Sequence, residues 1–462
     1  MSYQRSRYTM AEPWDDGRGL LVNLLTGAAD IVPHPLIHFV RTHLHMKSDE
    51  PTAPLHELLL ERGYYVDSPD IEEAFARAVL IKAKAKAQQE AQPKYMFGLG
   101  LRCNLSCPYC WQENEHRSSR QDSPLMGPEQ VEAAFSYIDR DLVSRPRKDA
   151  FISLFGGEPL MDDAEHRTVV QRIGDHALDR GMHLHFTTNG KELDRYRSEI
   201  DRYRPSIQVT IDDVYLNGGV VLMRTGQMLK GLYELLADLA HEGTGTIFLR
   251  FLVQNDTAKA FVTLADMAFQ DPRLQKSFTL AVAPLQNKTE HRNPEIPAKV
   301  NLLPALMQQL QDRPYSHRIT FTDWRGLNLL TALRQGRNEL PWPMFFHCEA
   351  NLHLTCFDQD GSLYACYEAM GNPRLAIGTY WPQVTHYPER VAAYRERSAF
   401  SIPQCVRCPL SPLCGGGCEV RGFKKYGGTL HPNCAGIHDE VHYVMRHWAS
   451  LLKLLSGSPN VE

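Results

Sequence analysis

The chain has 462 residues, of which 43% are hydrophobic and 23% charged, and its formal net charge is −4. These proportions are ordinary for a globular protein, and the small negative charge gives no sign of a surface for nucleic acid or another polyanion. The first residues lack the apolar core of a signal peptide, and no apolar run approaches the ~18 residues of a membrane span, so we expect a cytoplasmic protein.

Residues 1–92 are predicted to form a separate α+β module. Its expected elements are a hairpin at 20–25 and 28–32, short helices at 35–44 and 55–61, a strand at 64–66 and a helix from Pro69 toward Gln89. This order of elements resembles the small winged-helix-like domain that recognises leader peptides in many peptide-modifying enzymes. The alternative is a structural cap on the domain that follows.

Residues 93–284 alternate strands and helices, as parallel βα units do. The predicted strands are 95–101, 151–155, 183–187, 207–211, 246–253 and 278–282. The predicted helices are 129–143, 167–180, 192–202, 227–241 and 258–269. The pattern indicates an α/β fold of about six units, whose functional residues should collect at the carboxyl ends of the strands.

Three cysteines follow the first of these strands, as Cys103, Cys107 and Cys110, with Tyr109 before the last. The chain has 11 cysteines and no predicted secretory signal, which favours metal binding over disulfides. Three thiolates are one fewer than structural zinc or an ordinary iron–sulfur cluster takes. Either a distant residue completes a zinc site, or a 4Fe–4S cluster keeps one iron open.

A second motif, Gly156-Gly157-Glu158-Pro159, follows the apolar strand 151–155. Glycines let a ligand approach the backbone closely, and the carboxylate can bind an ammonium group. Taken alone, such a motif is usually just a turn. Its place at the end of the second strand puts it at the same edge of the sheet as the cysteine loop.

The remaining cysteines all lie in the C-terminal part of the chain. They are Cys348, Cys356, Cys366, Cys405, Cys408, Cys414, Cys418 and Cys434, with Gly361 before the third and three glycines at 415–417. On spacing alone, Cys405 and Cys408 with Cys414 and Cys418 could form a zinc ribbon. That interpretation would leave four of these cysteines without a role.

The cysteine loop and the Gly-Gly-Glu-Pro motif, in this order and some forty-odd residues apart, resemble the signature of the radical S-adenosylmethionine (radical SAM) enzymes. The resemblance implies a partial (β/α)6 barrel and a 4Fe–4S cluster on Cys103, Cys107 and Cys110, with SAM on its open iron. In that family the reduced cluster cleaves SAM to a 5′-deoxyadenosyl radical, which takes hydrogen from an unactivated C–H bond.

The same resemblance implies a set of SAM contacts. They are Tyr109, Gly156, Gly157, Glu158, Pro159, Thr188, Thr210 and Arg224. Gly156–Pro159 would bind the methionine amine, Thr210 the ribose, and Arg224 the carboxylate through two hydrogen bonds. Many relatives have Asp-Gly after the fourth strand, whereas this chain has Asp212-Asp213, which predicts a different turn.

Without Cys356, the C-terminal cysteines resemble, member by member, the seven-cysteine pattern of the SPASM domain that many radical SAM enzymes carry. The resemblance implies two auxiliary 4Fe–4S clusters that together use all eight C-terminal cysteines. Auxiliary cluster I would be held by Cys348, Cys356, Cys366 and Cys418, and auxiliary cluster II by Cys405, Cys408, Cys414 and Cys434. The predicted domains are therefore the module 1–92, the barrel 93–284, a bridging segment 285–347 and a SPASM domain 348–462.

Radical SAM enzymes of this layout mostly modify peptides, so we predict an oxidoreductase that installs a thioether or carbon–carbon crosslink in a ribosomally made precursor peptide. Its electrons would come from a flavodoxin or ferredoxin. In anaerobic sulfatase maturases an aspartate base follows the second SPASM cysteine, whereas here Tyr367 and Glu368 follow Cys366. The alternatives are such a maturase, a small-molecule radical SAM dehydrogenase, and a non-catalytic iron–sulfur electron-transfer or scaffold protein. No catalytic base is predicted.

Overall fold

A computed structural model describes residues 2–47, 53–112, 123–216, 220–254, 257–286, 299–330 and 343–456. The chain forms two compact units, each built from separate segments. The first unit contains residues 1–88, 324–348 and 396–462, and the second contains residues 89–323 and 349–395. The cysteine-rich C-terminal region therefore contributes residues to both units.

The first segment is an α+β module. Its strands are β1 (Ser2–Arg5), β2 (Thr9–Pro13), β3 (Arg18–Asn23), β4 (Ala29–Pro33), β5 (His45–Lys47) and β6 (Tyr65–Val66), and its helices are α1 (His34–Thr42), α2 (Ala53–Glu61) and α3 (Pro69–Glu90). The strands form two antiparallel sheets, ordered β2-β3-β4 and β5-β1-β6. The predicted hairpin is confirmed as β3–β4. The sequence did not reveal β1 and β2, because both are short and neither is an apolar run.

The second unit is organised around parallel strands. In chain order the strands of residues 94–284 are β7 (Lys94–Gly98), β8 (Phe151–Phe155), β9 (His183–Thr188), β10 (Ser206–Ile211), β11 (Asp213–Leu216), β12 (Val220–Arg224), β13 (Gln227–Lys230), β14 (Ile247–Val253) and β15 (Phe278–Pro284). The helices are α4 (Pro128–Val143), α5 (Ala164–Asp179), α6 (Arg197–Tyr203), α7 (Leu232–Glu242) and α8 (Ala258–Gln270). All six predicted strands are present and lie side by side as β7-β8-β9-β10-β14-β15, which confirms the predicted α/β order.

Strands β11, β12 and β13 form a separate antiparallel sheet that the sequence did not predict. The helix expected over 227–241 begins only at Leu232, because residues 227–230 pair with β12. Gly226 and Gly231, both with φ of 75°, bound this strand and allow the chain to turn at each end. The sheet returns Arg224 to the end of β10, where Thr210 lies.

The rest of the second unit extends the sheet at both edges. Its elements are α9 (Lys299–Leu310), β16 (Thr320–Phe321), β17 (Thr355–Phe357), β18 (Ser362–Tyr364), β19 (Gly378–Thr379), β20 (Thr385–His386) and α10 (Pro388–Arg395). Strand β16 pairs with β15, and β17 pairs in parallel with β7, where Cys356 lies opposite Met96. Part of the cysteine-rich region therefore belongs to the sheet that carries the cysteine loop.

The C-terminal helices belong to the first unit. They are α11 (Ser411–Cys414), α12 (Glu419–Tyr426), α13 (Ile437–Arg446) and α14 (Trp448–Ser456). Buried Glu12 of β2 accepts a hydrogen bond from Arg446 at 2.7 Å, and Val79 of α3 shares an apolar core with Ile402 and Cys405. The N-terminal module and the last cysteines thus fold together.

Within the described residues, no helix is both long and apolar enough to cross a bilayer.

Candidate active site

A cavity of about 400 Å³ lies inside the second unit, at the carboxyl ends of the parallel strands and along their inner face. Cys103, Cys107 and Cys110 all line it. The predicted SAM contacts that line it are Tyr109, Gly156, Gly157, Glu158, Thr188, Thr210 and Arg224, while Pro159 lies outside. The volume is within the range of small-molecule and cofactor sites. The structure therefore brings the two sequence motifs together around one space.

The cysteine loop is compact. The backbone N–H of Cys110 donates to the carbonyl of Cys107 at 3.0 Å, and the side chains of Leu105 within the loop and Trp111 directly after it are buried. None of the 11 cysteines, all of which the structure describes, forms a disulfide. Among the described residues, no three His, Cys, Asp or Glu side chains converge as they would on a single metal ion. A 4Fe–4S cluster has a different geometry, because its ligands bind separate corners of a cube.

The two glycines of the second motif pack against the start of the cysteine loop. The N–H of Gly157 donates to the carbonyl of Gly100 at 2.9 Å, and the N–H of Glu158 donates to the carbonyl of Arg102 at 2.8 Å. A Cβ atom on Gly157 would lie 2.0 Å from the carbonyl oxygen of Arg102. Glycine is thus required here because two segments of the backbone approach each other closely. The sequence analysis explained the glycine only by the approach of a ligand and did not include this constraint.

The carboxylate of Glu158 ties its motif to the loop after β9. It is buried and accepts hydrogen bonds from Thr188 Oγ1 at 2.7 Å, from the N–H of Asn189 at 2.7 Å and from the N–H of Leu160 at 2.9 Å. Burial raises the pKa of Glu158, and these hydrogen bonds oppose that rise. An ionised carboxylate offers about four lone-pair positions, so three donors leave one for an ammonium group.

Asn189 extends this arrangement to the cysteine loop. Its side-chain amide donates to Asn104 Oδ1 at 2.9 Å and lies 4.0 Å from Cys103 Sγ. The sequence analysis did not assign Asn189 a contact. In the structure the cysteine loop, Gly156–Glu158 and Thr188–Gly190 form one hydrogen-bonded assembly.

Arg224 lies beside Thr210, and its side chain contacts the backbone of Thr210. Arg224 Nη1 donates to the carbonyl oxygen of Thr210 at 2.8 Å. Burial lowers the pKa of Arg224, but its electrostatic interactions with Tyr109, Cys107 and Asp212 outweigh that effect and raise the pKa overall. Among the described residues the buried Nε of Arg224 has no hydrogen-bond partner. The guanidinium therefore stays cationic and keeps a donor for an anionic ligand.

The cavity residues to which the sequence analysis assigned no contact include Arg250, Asp323 and Tyr367. Arg250 of β14 lies opposite Thr210 in the sheet and forms an ion pair with Asp323, a residue held at a φ of 67°. Tyr367 packs near Phe155, with ring centroids 5.2 Å apart, and burial raises its pKa well above the ordinary value. One signal for Arg250 was available, since it is the single charged residue in an apolar strand.

The four cysteines assigned to auxiliary cluster II are neighbours in the first unit. Burial raises the pKa of Cys405 to about 12, and the negative charges of Cys414, Cys408 and Cys434 add to this rise. Cys408 Sγ also lies 3.9 Å from Nε2 of His438, a residue that the sequence analysis did not select. Of the set assigned to auxiliary cluster I, Cys348 and Cys418 belong to the first unit and Cys356 and Cys366 to the second.

The three glycines between Cys414 and Cys418 all adopt positive φ values, from 62° to 88°. A Cβ atom on Gly417 would lie 1.9 Å from the carbonyl oxygen of Asn433. The buried guanidinium of Arg397 donates to the carbonyls of Gly416 and Gly417 on one side and to those of Thr429 and His431 on the other. Arg397 therefore fixes the segment between two of the cysteines, a role with no signal in the sequence.

No protein-family model and no curated protein matches the sequence. Among solved structures, the chain is similar to histidine-tagged anSMEcpe with bound AdoMet (16% identity, TM-score 0.57, covering 80% of this chain and 97% of that chain). It is also similar to Streptococcus suis SuiB bound to precursor peptide SuiA (14% identity, TM-score 0.54, covering 94% of this chain and 99% of that chain). A third is native anSMEcpe with bound AdoMet and Kp18Cys peptide (17% identity, TM-score 0.55, covering 79% and 100%). The chain therefore has the fold of these proteins, and the predicted fold class is confirmed.

Proposed function

We propose that this chain is a cytoplasmic radical SAM peptide maturase, which reductively cleaves SAM and takes hydrogen from a side chain of a precursor peptide. The observation that carries the proposal is the cavity in which Cys103, Cys107 and Cys110 face Glu158 and Arg224. A thiol-lined space beside a buried carboxylate and a cation suits a cluster together with a zwitterionic methionine group.

The residues present fit both groups. Three thiolates can bind three irons of a 4Fe–4S cluster and leave the fourth open. The free lone-pair position of Glu158 would accept the ammonium of SAM, and the unpartnered Nε of Arg224 would donate to its carboxylate. When bound, the cluster and SAM supply a carbon radical that removes hydrogen.

Two observations support a peptide as the substrate. SuiB is bound to precursor peptide SuiA in one similar structure, and anSMEcpe is bound to a Kp18Cys peptide in another.

Tyr367, at the position where a sulfatase maturase is expected to carry its aspartate base, lines the cavity. The raised pKa of Tyr367 keeps its phenol protonated, which makes it a poor base. The presence of Tyr367 instead of an aspartate base favours a crosslinking maturase over a sulfatase-type maturase.

Two auxiliary 4Fe–4S clusters complete the proposal. When the substrate carbon radical joins a thiol or another carbon, one electron and one proton must leave. Auxiliary cluster II is the proposed electron acceptor, and the proximity of Cys405 to Cys408, Cys414 and Cys434 supports its ligand set. Auxiliary cluster I is proposed on Cys348, Cys356, Cys366 and Cys418. A flavodoxin or ferredoxin is the proposed external donor for SAM cleavage.

The N-terminal module offers a groove for a leader sequence. A cavity of about 420 Å³ lies between β6 and α3 and is lined by Ile71 and Phe75, which are 68% and 53% exposed. Among the described residues β6 is the terminal strand of the three-stranded sheet β5-β1-β6. An extended peptide can add a strand to such an edge and place alternate side chains in an apolar groove. We propose that the leader binds in this way.

The test is SAM cleavage by anaerobically reconstituted, chemically reduced protein. We expect 5′-deoxyadenosine and methionine from the wild type, and none from the variant with Cys103, Cys107 and Cys110 all changed to Ala. The matched control changes Cys405 and Cys408 to Ala and should still cleave SAM, because neither residue belongs to the proposed SAM site. An iron-loaded wild type that forms no 5′-deoxyadenosine would contradict the proposal.

A further inference from the structure

Asp212 accepts a hydrogen bond from the aromatic residue of the cysteine loop. Its carboxylate is buried at the end of β10, and Oδ2 accepts from the hydroxyl of Tyr109 at 2.5 Å. A hydroxyl–carboxylate hydrogen bond of this length is charge-assisted and of the strong kind.

The same carboxylate holds the tip of the β12–β13 hairpin. Oδ1 accepts from the N–H of Thr225 at 2.8 Å, and Oδ2 accepts from Thr225 Oγ1 at 3.0 Å. Thr225 has a φ of 51°, in the left-handed region that a β-branched residue rarely adopts. Two hydrogen bonds to a buried charge stabilise that conformation.

Arg224 contacts both the Tyr109 ring and the strand that leads to Asp212. It precedes Thr225, and its guanidinium carbon lies 5.8 Å from the centre of the Tyr109 ring, a cation–π distance. Its Nη1 atom is bound to the carbonyl of Thr210, two residues before Asp212. Asp212 therefore holds Tyr109 directly and Arg224 through its neighbour Thr225. Both Tyr109 and Arg224 line the cavity.

We infer that Asp212 is a positioning residue, which sets Tyr109 and Arg224 at the distances that SAM requires. The inference rests on the proposed function and extends it to a residue outside the predicted contacts. A buried carboxylate costs free energy unless it is hydrogen-bonded, and the partners of Asp212 are the cysteine loop and the residue next to Arg224. Without this carboxylate, the loop and the hairpin tip lose their common anchor.

The test compares iron-loaded wild type with Asp212→Asn, Tyr109→Phe and the double variant. The probe is SAM alone, with its Kd measured by equilibrium dialysis and the EPR spectrum of the reduced protein recorded before and after addition. The matched control is Asp175→Asn on α5, which removes the negative charge from the acceptor of a comparable 2.7 Å hydrogen bond donated by Tyr203 of α6. Neither Asp175 nor Tyr203 lines the cavity.

We expect Asp212→Asn and Tyr109→Phe each to raise the Kd for SAM about tenfold, as loss of a charge-assisted hydrogen bond would. The double variant should bind SAM no more weakly than Asp212→Asn, because both changes act on the same contact between Asp212 and Tyr109. The SAM-induced EPR change should shrink in all three, while Asp175→Asn matches the wild type.

Each other outcome is decisive. A wild-type Kd in Asp212→Asn, additive effects in the double variant, or an equal loss in Asp175→Asn would overturn the inference while leaving the proposed function intact. A wild type that does not bind SAM would instead refute the proposed function. Should Asp212→Asn fail to hold iron, Tyr109→Phe decides, since it removes only the hydroxyl.

Discussion

The carboxylate of Glu158 accepts a hydrogen bond from the backbone N–H of Asn189 at 2.7 Å, which joins two motifs that are 31 residues apart. Through the amide of Asn189 the same connection reaches Asn104 and the thiol of Cys103. Glu158, which the sequence motif assigns to ligand binding, therefore also holds the parts of the site together through its hydrogen bonds.

We predict that Glu158→Gln lowers stability by about 1–3 kcal/mol, as loss of a buried charged hydrogen-bond partner does, and weakens SAM binding. Glutamine places an NH2 group where one carboxylate oxygen now accepts, so a backbone or hydroxyl donor loses its partner. Urea unfolding and the Kd for SAM measure the two effects. The control is Glu165→Gln, whose side chain is 71% exposed in its ion pair with Arg102, and exposed pairs contribute ~0–1 kcal/mol. Equal effects of the two variants would contradict the prediction.

The groove of the N-terminal module is predicted to bind the precursor's leader through its apolar side chains. Ile71→Ser with Phe75→Ser should weaken precursor binding at least tenfold, because two exposed anchors are lost, while SAM cleavage without peptide is unchanged. The control is Ile81→Ser, on the same helix, 70% exposed and outside the groove. Fluorescence anisotropy of a labelled precursor gives the affinity, and unchanged binding would assign the module a structural role.

Deletion of residues 1–92 is a poorer test of that prediction. Val79 shares a core with Ile402 and Cys405, and Glu12 binds Arg446. Removing the module would expose the segment that carries the proposed cluster II ligands. Point changes in the groove avoid this.

Iron content tests the three-cluster proposal. Anaerobically reconstituted protein should contain about twelve irons per chain, as three 4Fe–4S clusters require. Changing Cys103, Cys107 and Cys110 together to Ala should leave about eight. Bound zinc in place of iron, or a wild-type count near four, would contradict the assignment.

Auxiliary cluster II is predicted to accept the electron released when the crosslink forms. Replacing Cys405 and Cys408 by Ala should leave 5′-deoxyadenosine formation intact but stop crosslinking, so that peptide is recovered reduced or deuterium-exchanged. Because metal binding is coupled to folding, the variant must first be shown to retain about eight irons. Crosslinked peptide at the wild-type rate would make this cluster structural.

Asp213 gives a pH prediction. Burial, followed by the charge of Asp212, raises the pKa of Asp213 to about 6. The folded state then holds this proton more tightly than the unfolded chain, so stability falls as pH rises from about 4 through about 6. Asp213→Asn should therefore stabilise the protein more at pH 8 than at pH 5. The expected gain is on the order of 1 kcal/mol, since the side chain is only half-buried. Thermal unfolding at the two pH values measures it, and an equal gain at both would contradict the assignment.

Much of the second unit could be predicted from local patterns. Apolar runs of strand length alternate with amphipathic helices, and the carboxyl ends of parallel strands bring the first two motifs to one edge. The Asp212-Asp213 departure from the Asp-Gly pattern predicted a changed turn. The structure shows instead a three-stranded sheet, whose short, partly polar strands carry no clear alternation.

Contacts between residues that are far apart in the chain could not be predicted from the sequence. Nothing local indicates that Cys356 pairs beside Met96, or that Arg397 supports the glycines before Cys418. The link from Asp212 to Tyr109 was hidden for the same reason, since it depends on a hairpin that returns Arg224 and Thr225 to the end of β10.

The most direct test of the proposed function follows the hydrogen atom itself. Reduced, reconstituted protein should be incubated with SAM and a uniformly deuterated precursor peptide, taken from a short open reading frame beside this chain's gene. We predict that deuterium appears in 5′-deoxyadenosine and that the recovered peptide carries a new thioether or carbon–carbon bond. If 5′-deoxyadenosine forms without deuterium while the peptide is nevertheless modified, the radical does not act on the peptide and the proposal is wrong.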